Sequence, residues 1–159
     1  MKFIPLKLVT QAKWLRRLMN LWPPFIGAGI SVTRIDNDFR YAQVRMKLKW
    51  YNRNYMGTQY GGSLYSMTDA FYAIMIIRNL DNKYYVWDKS ANIEYISPAR
   101  GTVIANYRLD DQMIETIKNN TDEGQKFLYD IPVEILDQGN KLIAMVNKVI
   151  YIRKKPEYR

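Results

Sequence analysis

Asp69 stands in the apolar middle of a helix-like stretch, residues 61–77, that the pair Gly61-Gly62 opens. From Leu64 to Ile77 the apolar side chains point in nearly every direction around a helix, so other structure is expected to wrap this segment. An unpaired carboxylate there costs several kcal/mol, which forces an ion pair, a raised pKa or a functional role. Eight residues upstream, the first N–H groups of the helix lack an intrahelical acceptor. The glycines let a ligand oxygen come close to them.

The residue types that are missing narrow the chemistry further. The chain has no histidine and no cysteine, so Ser-His-Asp and Cys-His triads, thiolate nucleophiles and zinc sites built on those ligands are excluded. Any catalysis must use carboxylates, lysines, hydroxyls, amides or backbone dipoles. Asp36-Asn37-Asp38 lacks the rest of a calcium loop and reads as a hairpin turn. Gly27-Ala28-Gly29 is no dinucleotide fingerprint, since no strand precedes it and the third glycine is absent.

The elements that must position Asp69 follow from periodicity. Residues 6–20 read as an amphipathic helix with Leu8, Ala12, Leu15 and Met19 on one stripe, ended by Trp22-Pro23-Pro24. A hairpin is expected from residues 29–35 and 40–50, its second arm alternating Val44, Met46, Leu48 and Trp50 with Arg45, Lys47 and Lys49. After the central helix, strands are expected over residues 84–95, 102–109, 127–136 and 141–153, with a short helix over 111–119 and a turn at Asp137-Gln138-Gly139-Asn140. The carboxyl end, Arg153-Lys154-Lys155-Pro156, reads as a frayed basic tail. This order is α+β: an antiparallel sheet wrapped around a long central helix, with an N-terminal amphipathic helix.

At 159 residues the chain fits one domain with a real core. The expected division is an N-terminal helical extension over residues 1–24 and the sheet domain over 25–155. The apolar run from Ala70 to Ile77 is too short to span a bilayer, and no signal-peptide pattern is present. A cytoplasmic location is the default reading.

The net charge of +9 is uneven: residues 1–53 carry eleven basic side chains against Asp36 and Asp38, while the remainder balances. An anionic partner would be drawn to that third of the chain. A basic helix bearing Trp14 and Trp22 suits peripheral contact with an anionic membrane; packing of its apolar stripe on its own domain is the competing account. No nucleic-acid motif accompanies the charge, which argues against nucleic acid as the partner.

The stretch Asn54-Tyr55-Met56-Gly57-Thr58-Gln59-Tyr60-Gly61-Gly62 leading into the helix, with Asp69 on it, resembles the hotdog-fold acyl-CoA thioesterases of the phenylacetate-pathway type. It resembles still more the uncharacterised thioesterase-like domains grouped as DUF4442. Residues 85–99, closing at Pro98, are similar to the second strand of that family, and the resemblance covers roughly residues 25–153. In such thioesterases a His-Gly-Gly begins the helix, an Asp or Glu follows nine residues after the His, and an Asn lies six before it. Here Tyr60 takes the place of the His, whereas Asp69 and Asn54 match.

The resemblance implies an acyl-CoA or other acyl thioester as substrate and no cofactor or metal. Asp69 is implied as base or nucleophile, the Gly61 N–H as the polariser of the thioester carbonyl, and Asn54 as the group that orients water or the carboxylate. Tyr60, Gly62, Asp88, Met67, Phe71 and Trp87 are the implied substrate contacts, with the acyl chain near Met67, Phe71 and Trp87. Gly61 and Asp69 would be about 12 Å apart along one helix, so one copy cannot bring both to a single carbonyl carbon. Two antiparallel copies can, which implies a homodimer, or a tetramer of such pairs. A structural Asp69 bonded to Ser66, Thr68 or a tyrosine hydroxyl is the competing account, as is an Asp88–Lys89 ion pair. A non-catalytic acyl-binding protein is the alternative function.

Overall fold

The computed structural model describes residues 11–159. The first part of the expected N-terminal helix, residues 6–10, therefore lies outside the described residues. The remainder forms α1 (Ala12–Asn20), whose Ala12, Leu15 and Met19 are buried as the stripe requires. A second helix, α2 (Pro23–Ala28), follows at once. The first helix ends ahead of Trp22-Pro23-Pro24, as expected. Proline is equally suited to the first turn of a new helix, where its missing N–H costs nothing, and both prolines sit there.

Six strands form one antiparallel sheet: β1 (Ile30–Ile35), β2 (Tyr41–Lys47), β3 (Tyr84–Tyr95), β4 (Thr102–Arg108), β5 (Lys126–Asp137) and β6 (Leu142–Lys154), in the order β1-β2-β4-β5-β6-β3. Between β1 and β2 the expected turn is present, closed by the Phe39 N–H on the Asp36 carbonyl at 2.9 Å. On β2, Ala42, Val44 and Met46 are buried while Arg45 and Lys47 are exposed. The strand stops at Lys47, however, and Trp50 projects into solvent. The C-terminal segment is not frayed: β6 continues through Arg153 and Lys154, Lys155 N–H donates to the Lys83 carbonyl at 2.9 Å, and Pro156–Tyr158 forms a 3-10 turn.

One face of the sheet holds the central helical segment, α3 (Gly61–Ser66) and α4 (Phe71–Asn79). Leu64, Met67, Phe71, Met75 and Ile76 from this segment share one core with Val103, Tyr107, Ile135, Val146 and Ile150 from the sheet. Phe71 stacks on Tyr107 with ring centroids 4.8 Å apart and on Phe25 of α2 at 6.2 Å. Burying each such large apolar side chain contributes about 1.5–3 kcal/mol. The last helix, α5 (Asp111–Asn119), is capped by Asp110, whose carboxylate accepts the Met113 N–H at 2.8 Å. This is the α+β arrangement expected from the sequence. No helix among the described residues is long and apolar enough to cross a membrane.

The two margins of the sheet differ. Along β1, the Asn20 side chain of α1 accepts the Val32 N–H at 2.7 Å and donates to the Val32 carbonyl at 3.0 Å, and Arg16 donates to the Thr33 carbonyl at 3.0 Å. Side chains thus occupy backbone groups that would otherwise recruit another strand. The opposite margin, β3, pairs only with β6 among the described residues. It is twelve residues long and carries a bulge at Lys89.

The central segment is where the sequence reading and the structure part. One continuous helix over 61–77 is expected; the structure interrupts it at residues 67–70, with Ala70 at φ 73° and ψ −33°. The Phe71 N–H turns back to the Asp69 carbonyl at 3.0 Å, closing a three-residue turn of the rare left-handed kind.

Candidate active site

Asn54 builds the entrance to α3. Its side-chain carbonyl accepts the Met56 and Thr58 N–H groups at 3.0 and 3.1 Å, and its amide donates to Thr58 Oγ1 at 2.9 Å and to the Gln59 carbonyl at 3.3 Å. Gln59 then ties this loop to the β3–β4 connection, its Nε2 donating to the Gly101 carbonyl at 2.9 Å and its N–H to the Ala99 carbonyl at 2.9 Å. The result is a cavity of about 650 Å³ lined by Asn54, Tyr60, Gly61, Gly62, Tyr95 and Arg100, among others. Neither the Gly61 nor the Gly62 N–H has an acceptor among the described residues.

Both glycines lie in close approach to tyrosine rings. A Cβ on Gly61 would lie 2.9 Å from the Tyr95 hydroxyl, and one on Gly62 would lie 2.6 Å from Cε1 of the Tyr60 ring. The half-exposed Tyr60 and Tyr95 rings therefore rest directly on the helix start. Four of the sequence-derived residues, Asn54, Tyr60, Gly61 and Gly62, converge on this one cavity.

Asp69 does not line it. The expected buried position is corrected as well: the side chain of Asp69 is 53% exposed. The interruption after Ser66 is the physical reason, because it ends the helical register before Asp69 and turns that residue outward. The figure of about 12 Å along a helix does not describe a broken segment.

Asp69 is not alone there. Its Oδ1 lies 3.7 Å from Nζ of Lys148 on β6, and the same ammonium donates to Asp88 Oδ2 at 2.7 Å and to the Thr68 carbonyl at 2.9 Å. Lys148 is 3% exposed, so its charge must be compensated within the protein. Burial raises the pKa of Asp88; the hydrogen bond and charge of Lys148 oppose that rise, and hydrogen bonding to Asp69 adds to it. Asp88 Oδ1 is buried without a hydrogen-bond donor among the described residues. The cluster thus holds two carboxyl groups against one cation, and burial tips Asp88 toward its protonated form against the pull of Lys148.

Asp88 does form an ion pair, but with Lys148 rather than with Lys89. Strand alternation sends Asp88 inward beside Val86, while Lys89 falls in the bulge and is exposed. Beneath the cluster, the Tyr107 hydroxyl of β4 donates to the Met67 carbonyl at 2.9 Å. Burial holds the Tyr107 pKa well above its ordinary value, with the charges of Asp69 and Asp88 adding to the effect.

The three residues expected along the acyl chain are not brought together. Met67 and Phe71 are buried in the core, whereas Trp87 is exposed on the opposite face of the sheet, stacked on Tyr151 at 5.6 Å. The period of two explains it, since Trp87 lies between the inward-facing Val86 and Asp88. Lys148 was missed altogether. Its signal was present: it interrupts the inward apolar register Ala144, Val146, Ile150, Ile152 on β6.

Comparison with known proteins bears on the family and the fold. The family model of DUF4442, a domain of unknown function, matches residues 11–152 and so includes α1. No curated protein matches. Among solved structures, a Pseudomonas aeruginosa protein of unknown function described as a probable thioesterase is 19% identical with a TM-score of 0.77, over 96% of this chain and 97% of that one. A thioesterase from Haemophilus influenzae is 14% identical with a TM-score of 0.64, over 91% of each chain. The PaaI protein from the phenylacetic acid degradation operon of E. coli is 17% identical with a TM-score of 0.59, over 89% of this chain and 93% of that one. At such identities the likeness concerns the fold, and that fold is the hotdog arrangement.

Proposed function

The chain belongs to the DUF4442 family, and on that footing we propose that it hydrolyses an acyl-CoA or another acyl thioester. The observation that carries this reading is the half-exposed Asp69 carboxylate, set at a helix interruption and backed by a buried ammonium. A core does not need such a group there. Asp69 acts as base on a water, or as nucleophile, toward the thioester carbon, and the oxyanion is held by the Gly61 N–H. Water adds to the acyl carbon, the C–S bond breaks, and the products are the carboxylic acid and the free thiol.

Because Asp69 lies outside the cavity that holds Gly61, the reading requires two copies, each supplying one half of each site. The open margin at β3, next to Asp88, is the surface through which a second copy joins. Asn54 keeps the entrance loop in shape. Tyr60 and Gly62 line the thiol side, and Arg100 stands at that cavity as a cation for phosphate.

The test uses the full chain with a panel of acyl-CoA substrates, following release of free thiol. Asp69→Asn is expected to lower kcat/KM by about 10²- to 10⁴-fold with the fold intact. Unchanged turnover by that variant would refute the assignment. Mixing inactive Asp69→Asn protein with inactive Gly61→Val protein is expected to restore turnover, because a mixed pair regains one complete site.

A second reading is a protein that binds an acyl group without turnover. Two observations favour it: Tyr60 stands in the histidine position, and every polar atom of the Asn54 side chain is engaged within its own loop. Acyl ligand found by native mass spectrometry, with no hydrolysis across the panel, would select it. Peripheral contact with an anionic membrane is compatible with either reading, since Trp14, Leu21, Trp22 and Ile26 are exposed on α1 and α2 and the segment between them. Co-sedimentation with vesicles containing phosphatidylserine, in low and high salt, tests it.

A further inference from the structure

Interrupting the central helix leaves two carbonyls without their helical donors. In an unbroken helix the Met67 and Thr68 carbonyls would accept the Phe71 and Tyr72 N–H groups. Here the Phe71 N–H goes to Asp69 instead, and the sheet supplies the replacements: the Tyr107 hydroxyl for Met67 and the Lys148 ammonium for Thr68, each at 2.9 Å. Lys148 thus donates to the Thr68 carbonyl and to Asp88 Oδ2 at 2.7 Å, and its ammonium forms a looser ion pair with Asp69 Oδ1 at 3.7 Å.

Core packing does not account for a lysine at this position. Its neighbours in register, Val146 and Ile150, are apolar and buried, and an apolar side chain of similar length would avoid the desolvation of an ammonium. The interruption it serves is itself costly, because Ala70 sits at φ 73° without the freedom of a glycine. Such a conformation persists only where surrounding contacts over-determine it.

Building on the thioesterase reading, we infer that Lys148 is a positioning residue: anchored on Asp88, it clamps the Thr68 carbonyl and thereby holds Asp69 outward in reach of substrate. Lys148 is buried and meets no substrate itself. It acts through the backbone of residues 68–70 and through the Asp88 carboxylate. The groups that face Asp88 are Lys148 from β6, Asp69 from the interruption and Tyr107 from β4.

The experiment compares the full chain with Lys148→Met and Lys148→Arg. If wild type hydrolyses an acyl-CoA, Lys148→Met is expected to lower kcat by about 10- to 100-fold with KM within about twofold, and Lys148→Arg to recover part of the loss. A Lys148→Met enzyme with wild-type kcat would overturn the inference. So would a uniform loss in kcat and KM that arginine does not relieve, since that is the signature of damaged packing alone.

A second readout does not depend on turnover. Amide hydrogen exchange at Asp69 and Phe71, both bonded within the interruption, is expected to quicken by about tenfold or more in Lys148→Met, while β4 and β6 amides keep their protection. Unchanged exchange there sinks the clamp whatever the substrate. Absence of hydrolysis by wild type, with quickened exchange in the variant, sinks the thioesterase reading and leaves the clamp standing. If Lys148→Met does not fold, Asp88→Leu carries the same exchange test, because it removes the oxygen that accepts from Lys148.

Discussion

The Tyr107 hydroxyl donates to the main-chain carbonyl of Met67 across 2.9 Å, forty residues away in sequence and wholly buried. It is a hydrogen bond that an unbroken helix would not need. Its presence ties β4 to the interruption that carries Asp69.

Tyr107→Phe leaves the Met67 carbonyl buried without a donor. The expected cost is about 1–3 kcal/mol, and each kcal/mol lowers Tm by about 2–4 °C in a chain of this size. Thermal unfolding followed by circular dichroism measures it. A variant as stable as wild type would mean that this hydroxyl contributes nothing to holding the segment.

The pH dependence of stability follows from Asp88. Its folded pKa lies above the ordinary value of 3.8, first because of burial, so the native state binds the proton more tightly than the unfolded chain does. The stability this supplies is fully present below pH 3.8 and is lost as pH rises through the folded value. Urea unfolding at a series of pH values is therefore expected to show wild type losing stability relative to Asp88→Asn across that window. The opposite slope would place the Asp88 carboxylate in a setting that favours its charged form.

Ala70→Gly is expected to stabilise the protein by up to about 2 kcal/mol, because relief of the left-handed strain outweighs the extra chain entropy that glycine brings. In an ordinary helix the same change destabilises by about 1 kcal/mol. A fall in the urea midpoint would show that the turn at Ala70 is not strained.

What the sequence disclosed, and what it hid, divides along the range of the interactions. The strand Tyr84–Tyr95 and the helix Asp111–Asn119 were legible to the residue, because local alternation and an Asp cap mark them. The cavity group Asn54, Tyr60, Gly61 and Gly62 was legible because it is contiguous. The interruption was not, since Met67-Thr68-Asp69-Ala70 contains no glycine or proline and its replacement donors come from β4 and β6. The Asp88–Lys148 pair joins positions sixty residues apart, and no local pattern reports such a pair. Lys148 itself left a trace, as the one charged residue in an otherwise apolar inward register of β6, residues 144–152.

The unequal treatment of the two flanks of the sheet bears on how copies of this chain could join strand to strand. With Asn20 and Arg16 occupying the Val32 and Thr33 backbone of β1, and β3 the margin without a second strand among the described residues, two copies meeting strand to strand along β3 would present blocked flanks at both outer ends. Such a ribbon terminates itself at twelve strands, and the polymer that a sheet open on both sides invites has nowhere to grow.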